Sequence, residues 1–313
     1  MRSVISLKTA NKIKMVSHLV FESKLMGCLS WSTDGTALVS CAKSGVYISN
    51  FTRGGYKFIK TGSSILSAKF DPTGNFLAYG GVNGILEIAH VNTGNKVASL
   101  LGHKNDISCI DYHPYQHLIA SAGSWDGSII LWDADIMSQS IVFKTETRNS
   151  VLCVKFSIDG NYIYASGLNG IIYIWEISTG NLINKLRTTN FGGIRSISFN
   201  KDNSLLLAGH MNGLLQIFDM SNFEVVTSFI AHIDGIWETA FSFDGELLAT
   251  GGLLDDAVRL WNLDGTELVS INEIKTNALA VAFSPNGSLI AIGGDRNIVN
   301  LYGLDDYSSS QNG

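Results

Sequence analysis

The sequence predicts an all-β protein made of seven tandem copies of one four-stranded antiparallel unit, and three observations lead there. The first is a recurring aromatic residue that ends an apolar run. Trp31, Phe70, Tyr112, Phe156, Phe199, Phe241 and Phe283 follow one another at steps of 39, 42, 44, 43, 42 and 42 residues. The second is the turn chemistry. Asp-Gly or Asn-Gly dipeptides, which accept positive φ and close two-residue hairpins, recur at Asn83-Gly84, Asp126-Gly127, Asn169-Gly170 and Asn212-Gly213. The third is the best-preserved copy itself. Ile107 to Tyr112 alternates like a strand, and Pro114 turns the chain because it fixes φ and has no N–H to donate. Leu118 to Ala122 returns, Asp126-Gly127 turns again, and Ser128 to Trp132 follows as a third strand. A period near 42 residues with four strands per copy is that of a propeller blade, so seven anchors predict a seven-bladed β-propeller.

The remaining turns support each copy in order. The first hairpin turns on Thr33-Asp34-Gly35, Pro72-Thr73-Gly74, Ile158-Asp159-Gly160, Lys201-Asp202-Asn203, Phe243-Asp244-Gly245 and Pro285-Asn286-Gly287. A third turn, as at Asn92-Thr93-Gly94, Ser178-Thr179-Gly180 and Leu263-Asp264-Gly265, leads to an outer strand. The last copy ends at its third strand near Tyr302. The outer strand Lys96 to Leu101 aligns 81 residues back with Met15 to Val20. Residues 13 to 21 are therefore expected to supply the missing fourth strand, a latch that ties the termini together and removes a sheet edge. The expected organisation is an N-terminal extension over residues 1–12, a propeller over 13–304 and a flexible tail over 305–313; residues 1 to 11 are expected to be loosely attached.

Composition narrows the function classes. The chain has 313 residues and a formal net charge of −5, with a mean hydropathy of +0.18. No run of about 18 uninterrupted apolar residues occurs, so no membrane span is expected. Strands covered on both faces account for the apolar bias. The N-terminus has no sustained apolar core of a signal peptide, which points to an intracellular, cytoplasmic or nuclear protein with Cys28, Cys41, Cys109 and Cys153 as free thiols. The sequons Asn50-Phe51-Thr52 and Asn286-Gly287-Ser288 then carry no glycan. The mild acidity argues against direct nucleic-acid binding.

The stretch from Gly102 to Asp133 opens on Gly-His and closes on Trp-Asp, with 28 residues between the two dipeptides. In this it resembles the WD-repeat family, whose members build β-propellers. The resemblance implies a buried hydrogen-bond set in two copies: His103, Ser121, Asp126 and Trp132, and His232, Thr250, Asp255 and Trp261. Both sets carry one residue more between hydroxyl and aspartate than the family's usual spacing. Elsewhere the pattern decays to Asn169 with Trp175, Asn212 with Phe218, and Ala89 or Tyr302 at the tryptophan position. Thr61, Thr147, Asn190 and Ile274 stand where the histidine would be.

The resemblance also implies that the loops entering each inner strand and the second-hairpin turns share one face, the family's usual docking face. The column four residues before each anchor reads Gly27, Leu66, Ser108, Leu152, Arg195, Trp237 and Leu279. The residue before each turn Asp or Asn reads Val82, Trp125, Leu168, Met211 and Leu254. Five apolar residues at turn tips predict a patch that serves a partner. The expected partner-binding residues are Trp237, Trp125, Arg195, Asp106, Leu152, Met211, Leu168 and Leu254, with the tryptophans as anchors and Arg195 and Asp106 as orienting charges. The expected function is a non-enzymatic scaffold that docks a peptide or protein within a larger complex, as a monomeric propeller without cofactor or metal. In size and architecture the chain resembles the small all-propeller subunit of the superkiller RNA-decay assembly.

Other chemistry has weaker support. His113 and His117 flank a proline turn, where their spacing does not bring the rings together on a metal, and they read as surface turn residues. Phe51-Thr52-Arg53-Gly54-Gly55 faintly resembles the arginine loop of phosphoinositide-binding propellers but has one arginine where that motif has two. No GxSxG, Walker A, HExxH or GxGxxG occurs, and the column at the channel mouth offers an enzyme only Ser108 and Arg195. Cys28, Cys109 and Cys153 share a column with Ser67, Ser196 and Ala280, as small side chains packed near an axis.

Overall fold

The computed structural model describes residues 4–146, 150–188, 192–272, 274 and 277–304. Among these residues the strands form seven four-stranded antiparallel sheets, six of them simple meanders and the seventh completed by a strand from the N-terminus, and the helical content is a single 3-10 turn at Ala10–Lys12. This is the seven-bladed propeller. The inner strands of blades 1 to 7 are Leu25–Trp31, Ile65–Phe70, Ile107–Tyr112, Val151–Phe156, Ile194–Phe199, Ile236–Phe241 and Ala280–Phe283. Each of the seven anchors is the last residue of its inner strand.

The core is divided into seven apolar clusters, one between each pair of adjacent blades. Blade 2 meets blade 3 through Ala78, Leu86, Ile107, Ile119, Ile130 and Trp132. Blade 3 meets blade 4 through Ala122, Leu131, Phe143, Val154 and Trp175. The two middle strands of a blade are therefore covered on both faces. In Ser128–Asp133, for example, Ile129, Ile130, Leu131 and Trp132 are all buried, which explains the continuous apolar runs and the high hydropathy.

The ring closes through the N-terminus. The strand Lys14–Val20 lies antiparallel on Ile298–Gly303 and completes blade 7, with Met15 opposite Tyr302 and Val20 opposite Ile298. The described residues that precede it, from residue 4 on, are tied down instead of loosely attached. Ile5 and Ala10 are buried in the cluster between blades 6 and 7, and the Ile5 N–H donates to the Gly287 carbonyl at 2.8 Å. Ile5 lies nine residues before the strand, too far for the hairpin pattern to register it. Phe21 enters the next cluster, between blades 7 and 1. The tail at 305–313 lies outside the described residues, as do Thr147 and Asn190.

The inner strands share one irregularity. In blades 2 to 6 the ladder skips one residue near the start: Leu66, Ser108, Leu152, Arg195 and Trp237 each sit in a bulge between two paired neighbours. A bulge re-aims the side chain it carries. These are five members of the column that sequence placed at the channel mouth.

Candidate docking face and central channel

Two blades hold complete polar networks. In blade 3 His103 Nδ1 lies 3.1 Å from Asp126 Oδ2 and Nε2 lies 2.7 Å from Ser121 Oγ, while the Trp132 indole N–H donates to Ser121 at 2.8 Å. In blade 6 the matching distances are 2.8 Å from His232 to Asp255, 2.8 Å to Thr250, and 2.9 Å from Trp261 to Thr250. Each histidine thus pins a loop aspartate to a buried strand hydroxyl, and the indole completes the chain. Burial pushes the Asp126 carboxyl up, but hydrogen bonds from His103 and Ser128 outweigh it and hold the group down at about 2. Burial lowers the His232 pKa against the pull of Asp255, which favours the neutral ring in the fold. Arg259, which no spacing pointed to, donates to Asp255 at 2.6 Å and to the Ala231 carbonyl at 2.7 Å.

The extra residue in these two loops has a visible consequence. In blade 3 it leaves Trp125 in the left-handed region at φ 69°, ahead of Gly127 at 67°. A bulky residue is uncommon there and the conformation costs about 1–3 kcal/mol. The indole is 69 % exposed.

The other blades substitute different contacts. His210, which carries no family signature, is fully buried in blade 5 and bridges the Gly192 carbonyl at 3.3 Å and Gln216 at 3.0 Å. His113 is no surface residue. It is buried against Phe156, its Nε2 lies 2.9 Å from the Gly160 carbonyl of blade 4, and its Nδ1 accepts from the amides of Tyr115 and Gln116. Fixing the proline turn against the neighbouring blade is what buries it. His117 stays exposed and pairs with Asp135 at 2.6 Å.

The face carrying the second-hairpin turns presents the expected apolar tips. Val82, Trp125, Leu168, Met211 and Leu254 are all exposed, from 41 % to 69 %, and Ile233 on an adjoining loop reaches 82 %. The bulge column behaves differently. Leu66, Leu152, Arg195, Trp237 and Leu279 are half-buried and Ser108 is buried. Arg195 lays its guanidinium over the Trp237 ring, 4.4 Å from its centre, and donates to the Leu152 carbonyl at 3.3 Å. The Trp237 ring is thus covered on one side by the Arg195 guanidinium. Its indole N–H is buried and meets no acceptor among the described residues. Leu279 packs so closely on Gly27 that a Cβ there would lie 2.4 Å from the Leu279 Cβ, and Gly27 also needs φ +72°. Asp106 is half-buried at the start of its strand, and its carbonyl accepts from Ser124.

Below this floor the channel encloses about 320 Å³ and is more polar than the mouth column alone indicates. Its wall includes Cys109, Cys153, Lys155, Ser196 and Glu238. The small residues of the cysteine column also tie blades together. The Cys28, Cys109 and Cys153 thiols approach carbonyls of the next blade at 3.5 to 3.9 Å, while Ser67 and Ser196 accept next-blade amides at 2.9 and 3.1 Å. Arg53, by contrast, sits in an exposed turn at the other end of blade 1, where Asn50 Oδ1 accepts the Thr52 and Arg53 amides.

A closed ring of seven four-stranded blades, with His–Asp–Ser/Thr–Trp networks at two of them, defines a WD-type propeller. Consistent with this, the family model described as WD domain, G-beta repeat matches residues 94–133, 138–176, 180–219, 223–262 and 269–300. The chain belongs to that family. Propellers of the family typically serve as interaction scaffolds and are generally not enzymes. Among the described residues no helix is long and apolar enough to cross a membrane.

Proposed function

We propose that this propeller is a scaffold that docks a peptide or protein segment on the face formed by the second-hairpin turns. The observation that carries the proposal is the ring of exposed apolar tips at Val82, Trp125, Leu168, Met211 and Leu254 around a half-buried floor. Apolar side chains raised singly on five separate polar turns favour a partner that buries them together. Trp125 adds a second argument, since its strained backbone keeps a large indole in solvent with no benefit to folding. Arg195 and Trp237 supply the centre. A carboxylate or carbonyl of the docked segment can draw the guanidinium off the indole and open an aromatic surface beneath it. The segment thus combines apolar residues with at least one acceptor or acidic group.

The chain is further proposed to be a monomeric propeller within a larger intracellular complex, of the kind formed by small all-propeller subunits. A phosphoinositide role would rest on Arg53 alone, in a turn at the opposite end.

The test is to isolate co-purifying chains from native lysate, express the best candidate, and measure its affinity for variants. Trp125→Ala and Trp237→Ala should each lose about 2 kcal/mol or more of binding energy. Tyr115→Ala, exposed at the opposite end, should bind as wild type does. The reverse pattern would move the site to the other face and overturn the proposal, and loss of lipid binding on Arg53→Ala would favour the headgroup role.

A further inference from the structure

The central channel contains a pair of thiols that the docking role does not use. Cys109 and Cys153 occupy equivalent positions on the inner strands of blades 3 and 4, and their sulfurs lie 3.9 Å apart. Both line the channel cavity. Lys155, on the same wall, reaches to 3.9 Å from Asp111 Oδ1. We propose that Cys109 and Cys153 form a two-thiolate site for a soft monovalent d10 cation of the copper(I) and silver(I) class.

Four features of the site lead to that ligand. Thiolate sulfur is a soft donor and selects soft d10 ions. The ligand count selects among them: among the described residues no three His, Cys, Asp or Glu side chains converge as a metal-ligand set. Zinc, which calls for four ligands, would be left half satisfied, whereas a monovalent d10 ion is content with two sulfurs. Separation fits next. Metal–sulfur bonds of about 2.3 Å span roughly 4 to 4.6 Å between sulfurs as the unit goes from bent to linear. The observed 3.9 Å lies just short of the bent end of that range.

Charge is the fourth. Capture of the cation by two thiols releases their two protons and leaves a unit of charge −1. The Lys155 ammonium faces the same cavity, where it is shared with Asp111 at 3.9 Å and with Glu238 on the wall.

The experiment uses the whole chain carrying Cys28→Ser. Cys28 also lines the channel and lies against Cys41, so this change removes the competing pair while leaving Cys41 fully buried. Silver(I), and copper(I) under anaerobic conditions, are titrated against a competing chelator while the ultraviolet thiolate-to-metal band and the melting temperature are followed. One ion per chain is expected, with a rise in melting temperature. Affinity should fall at least a hundredfold in either Cys109→Ser or Cys153→Ser. Those variants should fold, because serine already holds the same column at Ser67 and Ser196, where its hydroxyl accepts a next-blade amide. Lys155→Met should weaken binding roughly tenfold without changing the stoichiometry. Retention of the ion within tenfold by either serine variant would overturn the proposal, since single thiols would then account for it. Zinc(II) binding as tight as silver(I) would overturn the choice of ion.

Discussion

Closure of the ring rests on a short N-terminal segment, and its contribution can be worked from two side chains. Phe21 is 2 % exposed; its ring lies 4.5 Å from that of Tyr47 and 5.4 Å edge-on from Tyr56. Its amide donates to the Asn297 carbonyl and its carbonyl accepts from the Asn297 side chain, both at 2.8 Å. Ile5 is fully buried between blades 6 and 7. Truncating a buried Phe or Ile to Ala costs about 3–5 and 2–5 kcal/mol respectively. Deleting residues 1–21 removes both, and it also strips the partner strand from Ile298–Gly303. The sum of about 5–10 kcal/mol rivals the whole stability of a typical folded chain. The deletion should therefore aggregate or melt far below wild type, followed by light scattering and by circular dichroism. Ile5→Ala alone leaves the strand in place and should lower the melting temperature by roughly 5–10 °C. A deletion variant that melts with the wild type, or Ile5→Ala with an unchanged denaturant midpoint, would refute the closure argument.

Three further outcomes follow from the polar groups and the strained loop. His232→Ala leaves Asp255 and Thr250 short of a partner and should cost about 1–3 kcal/mol in a denaturant titration, whereas Thr61→Ala, at the matching position of a blade without the network, should cost clearly less. Burial lowers the pKa of His113, His210 and His232 below the ordinary 6.5, so the fold favours their neutral forms. That contribution is complete above pH about 6.5 and is lost as the pH falls below it. Asp126, held at about 2 against its ordinary 3.8, adds a second loss between those values. The denaturant midpoint should decline from pH 6.5 downward and more steeply below pH 4; a midpoint that rises between pH 7 and 5 would contradict the reading. Trp125→Gly relieves the left-handed strain at an exposed position, and should leave stability unchanged or raised by up to about 1 kcal/mol while partner affinity falls.

How far the sequence could be read depended on the range of the contacts involved. The seven anchors, the Asn-Gly and Asp-Gly turns and the N-terminal strand are local or periodic, and all were legible. The two networks were legible as residue sets because His, Asp, Ser or Thr, and Trp recur at matching offsets. Arg259 and His210 were not, since each acts in one blade only and leaves no repeated mark. His113 was misjudged because its burial comes from Gly160 of the next blade, 47 residues away. Strict alternation also failed at the start of the inner strands. The bulge at Ser108 places the core residues Ile107 and Ile110 three apart, and the same holds for Val151 with Val154 and Ile194 with Ile197. Spacing marked the column that holds Trp237, but not the bulge it sits in or the Arg195 side chain laid over its ring.

That irregularity is also what gives the propeller its two distinct surfaces. A blade repeated without bulges would point its inner-strand residues alternately at the two neighbouring blades. The extra residue in blades 2 to 6 re-aims one side chain per blade, and among these Arg195 and Trp237 meet in the half-buried floor. The exposed tips at Trp125 and Leu254 stand above that floor on loops that the His103 and His232 networks hold in place. Packing between blades carries most of the stability. The networks are kept where a long loop must be fixed, and in blade 3 the loop fixed most firmly is the one that carries the strained, exposed tryptophan. Rigidity and exposure are thus built into the same few residues, as a surface requires if it is to bind a partner without first paying to order itself.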